Sequence, residues 1–315
     1  MRKRFFSKLA IVMSTALAVS GCFCPIDKAF VNAETIQDED DSYYDDDSDY
    51  DDSYDDSTDD SYDDSTDDSY DDSTDDSDNE ETTGTKIDDI KLSSSELQAF
   101  VKESDSDENG YISQSEAEKI TYVSISKKAS QSDLTQIIKL YPNISELMWN
   151  AGTLTKLTFP KNNIKRLNIT SKAASQLVIS GINQKLNNLS YTAQGSKKYA
   201  FNFAKGSAYK KVEDFNLMGK QINGVKLSNA EVGTLYVTDT SAKKIDASSD
   251  KIINLWVQNN KKLSSFTVRN CSKLKSVSCA YNALSRLNIS GCPKLLSVSC
   301  DRNKLTKLDI SKYKN

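Results

Sequence analysis

From Ile120 onward the chain repeats apolar residues at offsets 0, 3 and 5, and usually again near offsets 10, 13 and 15. One such unit cannot bury its own apolar edge, but a stack of units can, so the repeat dictates a quasi-one-dimensional fold. The pattern is clearest near the C-terminus. Leu274, Val277, Cys279, Asn282, Leu284, Leu287 and Ile289 return 21 residues later as Leu295, Val298, Cys300, Asn303, Leu305, Leu308 and Ile310. Earlier units start at Ile144, Ile164, Leu186, Val212, Val232 and Ile252, with spacings of 20, 22, 26, 20 and 20. A partial unit begins at Ile120, with Val123 and Ile125. Alternation at offsets 3 and 5 reads as a short strand with one buried face. The two halves of a unit resemble each other, so strands are expected on both sides of the stack. Asn282 and Asn303 sit where a buried amide can bond the backbone of adjacent turns. The expected fold is therefore a repeat solenoid of about eight to nine units over 120–315, made mostly of short parallel strands and loops.

Ahead of the repeats, residues 105–116 read Asp-Ser-Asp-Glu-Asn-Gly-Tyr-Ile-Ser-Gln-Ser-Glu. Every ligand position of an EF-hand calcium loop is matched. Asp105, Asp107 and Asn109 supply side-chain oxygens, Tyr111 a backbone carbonyl, Ser113 a hydroxyl or a bridged water, and Glu116 a bidentate carboxylate. Gly110 permits the sharp turn, and Ile112 points into the adjoining core. A capping box from Ser93 to Glu96, then Leu97, Phe100 and Val101, predicts a helix before the loop. Ala117 and Ile120 continue an apolar face after it. The competing reading, an Asp-rich turn at a helix end, does not account for all the positions together. Over 90–122 the expectation is thus an EF-hand helix–loop–helix that caps the first repeat. A lone site of this kind suits weak extracellular calcium binding, with a Kd of about 10⁻⁴–10⁻³ M.

Residues 120–315 resemble the leucine-rich-repeat proteins secreted by Gram-positive bacteria, whose units run Leu-x-x-Leu-x-Cys-x-x-Asn-x-Leu-x-x-Leu-Asp-Ile-Ser. Leu295 to Ser311 is close to that pattern. An EF-hand-like segment ahead of such repeats also resembles that family, so the likeness covers about 90–315, with internalins as more distant relatives. The resemblance implies a secreted or cell-surface ligand-binding protein. The middle units depart from the pattern, lacking the Cys and often the Asn.

Charge is sharply segregated. Residues 38–81 hold 25 Asp or Glu and no Lys or Arg, whereas residues 122–315 hold 31 Lys or Arg against ten Asp or Glu, a net of +21. The acidic stretch repeats Asp-Asp-Ser-Tyr-Asp-Asp-Ser-Thr and has nothing with which to bury a core. It predicts a disordered, extended linker over 34–85. Its 44 acidic-stretch residues would reach at most about 145 Å. A solvated spacer is favoured over a weak calcium sponge or a lid on the basic repeats, because charge blocks usually are solvated. At the N-terminus, Arg2, Lys3, Arg4 and Lys8 precede an apolar run from Leu9 to Gly21, which matches a signal-peptide core and is too short for a mature span. Cleavage after Ala33 gives a signal peptide of 1–33. The alternative is a lipobox at Val19-Ser20-Gly21-Cys22, with lipidation of Cys22 after a signal of 1–21. The apolar residues that follow Cys22 favour the later cut, and with it an extracellular, secreted protein in which only lipidation would bring in a membrane.

The chain contains no histidine, which removes Ser-His-Asp triads, Cys-His pairs and histidine-ligated zinc. No carboxylate pair has motif-like placement, so the expectation is a non-enzymatic binding protein with calcium as cofactor. The candidate ligand surface consists of outward residues at offsets 2, 4 and 6, among them Met148, Arg166, Met218, Tyr236 and Trp256. Tyr236 and Trp256 share an offset in adjacent units, where exposed aromatics suit a sugar or a protein anchor; ordinary strand-surface packing is the bland alternative. Expected partners are an extracellular protein or glycan, or an anionic cell-wall polymer drawn by charge. Nucleic acid is disfavoured by export and by the lack of a recognisable module. Cys279 and Cys300 read as stacked apolar thiols. For Cys271 and Cys292, one unit apart, a disulfide and a thiol pair both stay open.

Overall fold

The computed structural model describes residues 83–227 and 230–308. The expected signal peptide, Cys22 and nearly all of the acidic linker lie outside the described residues. The chain begins with β1 (Thr85–Lys86) and a 3-10 turn (Ile87–Asp89), then α1 (Ser95–Glu103), β2 (Tyr111–Ile112) and α2 (Gln114–Lys119). β3 (Tyr122–Ser124) opens the repeats and is followed by α3 (Gln131–Leu140). The remaining strands are β4 (Glu146–Gly152), β5 (Lys156–Thr158), β6 (Arg166–Ser171), β7 (Val178–Ser180), β8 (Leu186–Ala193), β9 (Tyr199–Asn202), β10 (Lys211–Met218), β11 (Ile222–Lys226) and β12 (Glu231–Thr238). They continue as β13 (Lys244–Asp246), β14 (Asn254–Gln258), β15 (Ser265–Arg269), β16 (Ser276–Ser278), β17 (Arg286–Ser290) and β18 (Ser297–Ser299).

These strands wind into a parallel β-solenoid of about eight turns. One side is a nine-stranded parallel sheet in the order β3-β4-β6-β8-β10-β12-β14-β16-β18. The return side carries the pair β5-β7 and the five-stranded sheet β9-β11-β13-β15-β17. Strands therefore line both sides, as the similarity of the two half-units predicts. Register follows the repeat. Leu147, Leu167, Leu189, Phe215, Leu235, Leu255, Val277 and Val298, each at offset 3 of its unit, are Cα partners in succession. Between the return strand β9 and β10 the longest unit adds a 3-10 turn (Ser207–Tyr209). Tyr191, Phe201, Phe203, Tyr209 and Phe215 fill that turn, with ring centroids 4.7–6.1 Å apart.

Two further columns hold the C-terminal turns. The Asn282 amide donates to the Val257 and Cys279 carbonyls (2.6 and 2.7 Å) and accepts from Asn260 N–H (2.8 Å). Asn303 donates to the Cys279 and Cys300 carbonyls (2.8 and 3.0 Å) and accepts from Leu284 N–H (3.0 Å). Asn260 extends the column, donating to the Val237 and Gln258 carbonyls at 2.9 Å. Each amide satisfies backbone groups that the turn would otherwise leave unpaired. One residue earlier, Asp239, Asn259, Tyr281 and Arg302 all have φ between 51° and 57°. The exit from each of these outer strands thus turns through the left-handed region, which Asn tolerates and bulky side chains resist.

The helical N-terminus seals the first turn. Leu97, Val101, Ile112, Leu134, Ile137 and Tyr141 are buried together with Val123 and Leu147. Phe100 packs edge-on against Tyr141 at 5.6 Å. The expected Ser93–Glu96 capping box is not formed. Ser94 caps α1 by accepting from Leu97 N–H. Ser93 instead donates its N–H and hydroxyl to Asp133, both at 2.6 Å. Glu96 turns away to accept from Ser126 and Lys127 N–H groups at 2.8–3.1 Å. Both carboxylates thereby tie the helical part to the solenoid, and tertiary donors win over the local box. Two other boundaries differ from expectation. Order reaches back to β1, inside the span read as linker, because Thr85 and Lys86 pair with Ile112 and Tyr111. The stretch after Ile125, read as degenerate repeat, contains α3, whose own capping box joins Ser130 and Asp133.

Candidate functional site

Two features stand out. The first is the loop between α1 and α2. Asp105 sits at the C-terminal end of α1, with one carboxylate oxygen accepting from Asn109 N–H (3.1 Å) and the other from Gly110 N–H (2.9 Å). Asp107 accepts from Asn109 N–H (3.2 Å) and from the Asn109 amide (2.9 Å). Asn109 Oδ1 accepts from Tyr111 N–H at 2.8 Å. Gly110 has φ of 86°, the conformation for which glycine is suited. Glu116 closes the loop: one oxygen accepts from Ser106 N–H (2.5 Å) and the Ser106 hydroxyl (2.8 Å), the other from Ser113 N–H (3.0 Å) and its hydroxyl (2.9 Å). Ser113 in turn caps α2 by accepting from Glu116 N–H.

The loop thus draws Asp105, Asp107 and Glu116 into one group, with a carboxylate oxygen of each within 4.8 Å of the others. Burial pushes the Glu116 carboxyl up, but donors from Ser113 and Ser106 outweigh it and hold it down at about 2. Asp107 is shifted the other way. The Asn109 N–H lowers it, yet desolvation, the Asp105 carboxyl and repulsion from Glu116 and Asp105 together raise it. Three convergent oxygen donors with this mutual repulsion are the chemistry that suits a hard cation. Asn109 and Ser113 lie beside them as neutral oxygen donors, and Tyr111 stands in β2, where Ile112 is buried. Sequence reasoning did not find the support beneath the loop. β1 pairs antiparallel with β2, and Ile87 N–H donates to the Gly110 carbonyl at 3.0 Å. A Cβ on Gly84 would meet the Ile112 carbonyl oxygen at 2.7 Å, so glycine admits this close approach.

The second feature is the outward face of the nine-stranded sheet. Strand residues alternate between buried and half-exposed along β4, β6, β8, β12 and β14, which sets three outward rows at offsets 2, 4 and 6. Tyr236 and Trp256 are Cα partners in the middle row, their rings stacked at 6.1 Å with planes 17° apart. Met218, more than a third exposed, is the partner of Thr238 in the third row and so lies beside Tyr236. Met148 and Arg166 are on the same face but belong to a separate group. Met148 Sδ accepts from the Tyr122 hydroxyl at 3.1 Å, and Arg166 pairs with Glu146 at 3.7 Å. Four strand spacings of about 4.8 Å place Met148 roughly 19 Å from Tyr236. The five residues therefore form two patches, with Met218, Tyr236 and Trp256 in one.

The basic residues keep off these rows. Of the 31 Lys and Arg beyond Lys119, Arg166 alone occupies a described outward row position. Lysines stand where the chain enters the sheet instead, at Lys165, Lys185, Lys251, Lys275 and Lys294 in the lead-in turns and Lys211 at the start of β10, all exposed. The signal lay in the unit offsets, since lysine avoids positions 2, 4 and 6. Of the described cysteines, Cys271, Cys279 and Cys292 are buried thiols and Cys300 is half-buried. No helix among the described residues is long and apolar enough to cross a membrane. Comparison with protein-family profiles, curated proteins and solved structures yields no match.

Proposed function

We propose that this chain is an extracellular or cell-surface binding protein, of the leucine-rich-repeat kind found in Gram-positive bacteria. In this reading the loop at 105–116 is an EF-hand that takes calcium, and the nine-stranded face holds an extracellular protein or glycan. One observation carries the reading: Tyr236 and Trp256 stand in register on a face otherwise built largely of Ser, Thr and Asn. Stacked aromatics with half-exposed surface offer contact area at small conformational cost, the usual basis of an anchor point. Calcium has a supporting role. Held by Asp105, Asp107, Asn109, Tyr111, Ser113 and Glu116, it would relieve the repulsion among the carboxylates and fix α1 against α2. Those helices cover the first turn of the solenoid, so the metal acts on the platform rather than on the ligand.

The test is affinity capture from a cell-surface extract with the full chain, in calcium and then in EDTA, against the Tyr236→Ala/Trp256→Ala variant. A discrete partner retained in calcium, weakened by EDTA and lost in the variant is expected. A second reading, retention on anionic wall polymer by charge alone, draws on the +21 excess of residues 122–315. It requires release by salt, with no response to EDTA or to the aromatic variant.

A further inference from the structure

The arrangement of charge around the aromatic pair narrows the ligand. The middle row beside Tyr236 and Trp256 runs Ser190, Asn216, Tyr236, Trp256, Ser278 and Ser299. Its side chains are short hydroxyls and amides flanking two rings. Gln258 donates to the buried Ser278 hydroxyl at 2.6 Å, and in the first row Ser297 donates to the Ser276 hydroxyl at 3.0 Å, so the half-exposed polar groups nearest Trp256 are the Asn254 and Gln258 amides. Acids on the outward rows are few: Glu146, held by Arg166, together with Asp214 and Asp301. Along this face run the six exposed lysines, one beside the first residue of each of six units; the Tyr236 unit interrupts them with exposed Glu231, the Cα partner of Lys211. Two of them, Lys185 and Lys251, face Glu213 and Asp250; exposed pairs of this kind are weak and exchange readily.

A stacked ring pair suits the apolar face of a sugar ring, and neighbouring hydroxyls and amides suit its hydroxyl groups. A strip of cations parallel to the solenoid axis suits a polymer that carries repeated acid groups along its length. Because both features follow the stacking direction, one ligand meets both only if it is linear and lies along the axis. We propose that the face binds a linear anionic polysaccharide, with sugar rings against Tyr236 and Trp256 and acid groups toward the lysine margin. This rests on the reading of the face as the binding surface and names the class of its ligand.

The experiment measures binding of the full chain to three polymers at low and high salt: polygalacturonate, uncharged dextran, and polyphosphate, which has charge but no sugar rings. Polygalacturonate is expected to bind tightest. The Tyr236→Ala/Trp256→Ala variant should lose about tenfold in that affinity, the equivalent of about 1.4 kcal/mol, with its thermal unfolding unchanged. Replacing the six margin lysines by Gln should remove most of the salt dependence. Polyphosphate should bind more weakly and ignore the aromatic variant. Equal binding of polyphosphate and polygalacturonate, both indifferent to the aromatics, overturns the proposal in favour of charge alone. Dextran binding as tightly as polygalacturonate overturns it in favour of a neutral glycan. If no polymer binds while a captured protein is lost with Tyr236→Ala/Trp256→Ala, the polysaccharide is wrong and the face reading survives. If nothing bound responds to that variant, both fail.

Discussion

The middle of the solenoid and its C-terminal turns reach the same architecture by opposite routes. From β14 to β18 the units keep the repeat closely: Asn recurs at one offset in all three, Val and Cys at fixed offsets in the last two, and the Asn260–Asn282–Asn303 amides stitch turn to turn. Around β8 to β10 the spacing stretches to 26 residues, the Cys and Asn are gone, and five aromatic rings occupy the interior. Yet the irregular region is no less buried. Leu189, Tyr191, Phe215 and Leu217 are sealed from solvent as fully as Leu255, Val257, Val277 and Cys279, and only in the last described turns do Leu287, Ile289, Val298 and Cys300 become partly buried. Agreement with a repeat therefore measures how uniformly a turn is built, not how much apolar surface it removes from water. Long turns with large side chains compensate for lost regularity through packing.

That contrast makes ordered predictions. Phe215→Ala should cost about 3–5 kcal/mol, and Val298→Ala about 1 kcal/mol, in urea unfolding; equal costs would erase the distinction. Asn282→Ala strands buried N–H and C=O groups on two turns and should cost about 1–3 kcal/mol, with hydrogen exchange rising in the C-terminal turns and not around Phe215. Tyr281→Asn should raise stability by at most about 1 kcal/mol, because it relieves a left-handed tyrosine while giving up the Arg302 guanidinium stacked 5.0 Å over its ring. A stability loss would show that this stacking outweighs the backbone strain. The gentlest probe leaves the sequence intact. Burial pushes the Cys279 thiol up to about 12 and the Cys271 thiol up to about 11. Their reactive thiolates are therefore scarce at pH 8 and increase as pH rises. Iodoacetamide should modify half-buried Cys300 first among Cys271, Cys279, Cys292 and Cys300, and uniform labelling of these four would mean that the C-terminal turns open as a unit.

Much of this was legible in advance because stacking converts sequence offset into position. Offsets 3 and 5 gave the inward columns in every unit from Ile144 on, and the shared offset of Tyr236 and Trp256 gave their contact. The carboxylate grouping of Asp105, Asp107 and Glu116 followed from loop spacing alone. What escaped was whatever depends on a partner far along the chain. Glu96 leaves its own helix for backbone donors thirty residues on, and Ser93 is drawn to Asp133. β1 is two residues long and has no pattern of its own; only the edge of β2 gives it a structure. α3 was readable from Ser130, Asp133, Leu134, Ile137 and Ile138, but the repeat frame concealed a helical period inside it.

The in-register rows also make the outer face a ruler. Each unit, whether it is 20 or 26 residues long, advances the face by one graduation of about 4.8 Å. Extra chain is absorbed away from the outer sheet, as the 3-10 turn at Ser207–Tyr209 shows, and leaves the graduation unchanged. Gain or loss of a whole unit would lengthen or shorten the readable edge by one mark and leave every other mark aligned. The nine outer strands thus measure about 38 Å from first to last, a length set by the number of units and insensitive to how irregular any one of them becomes.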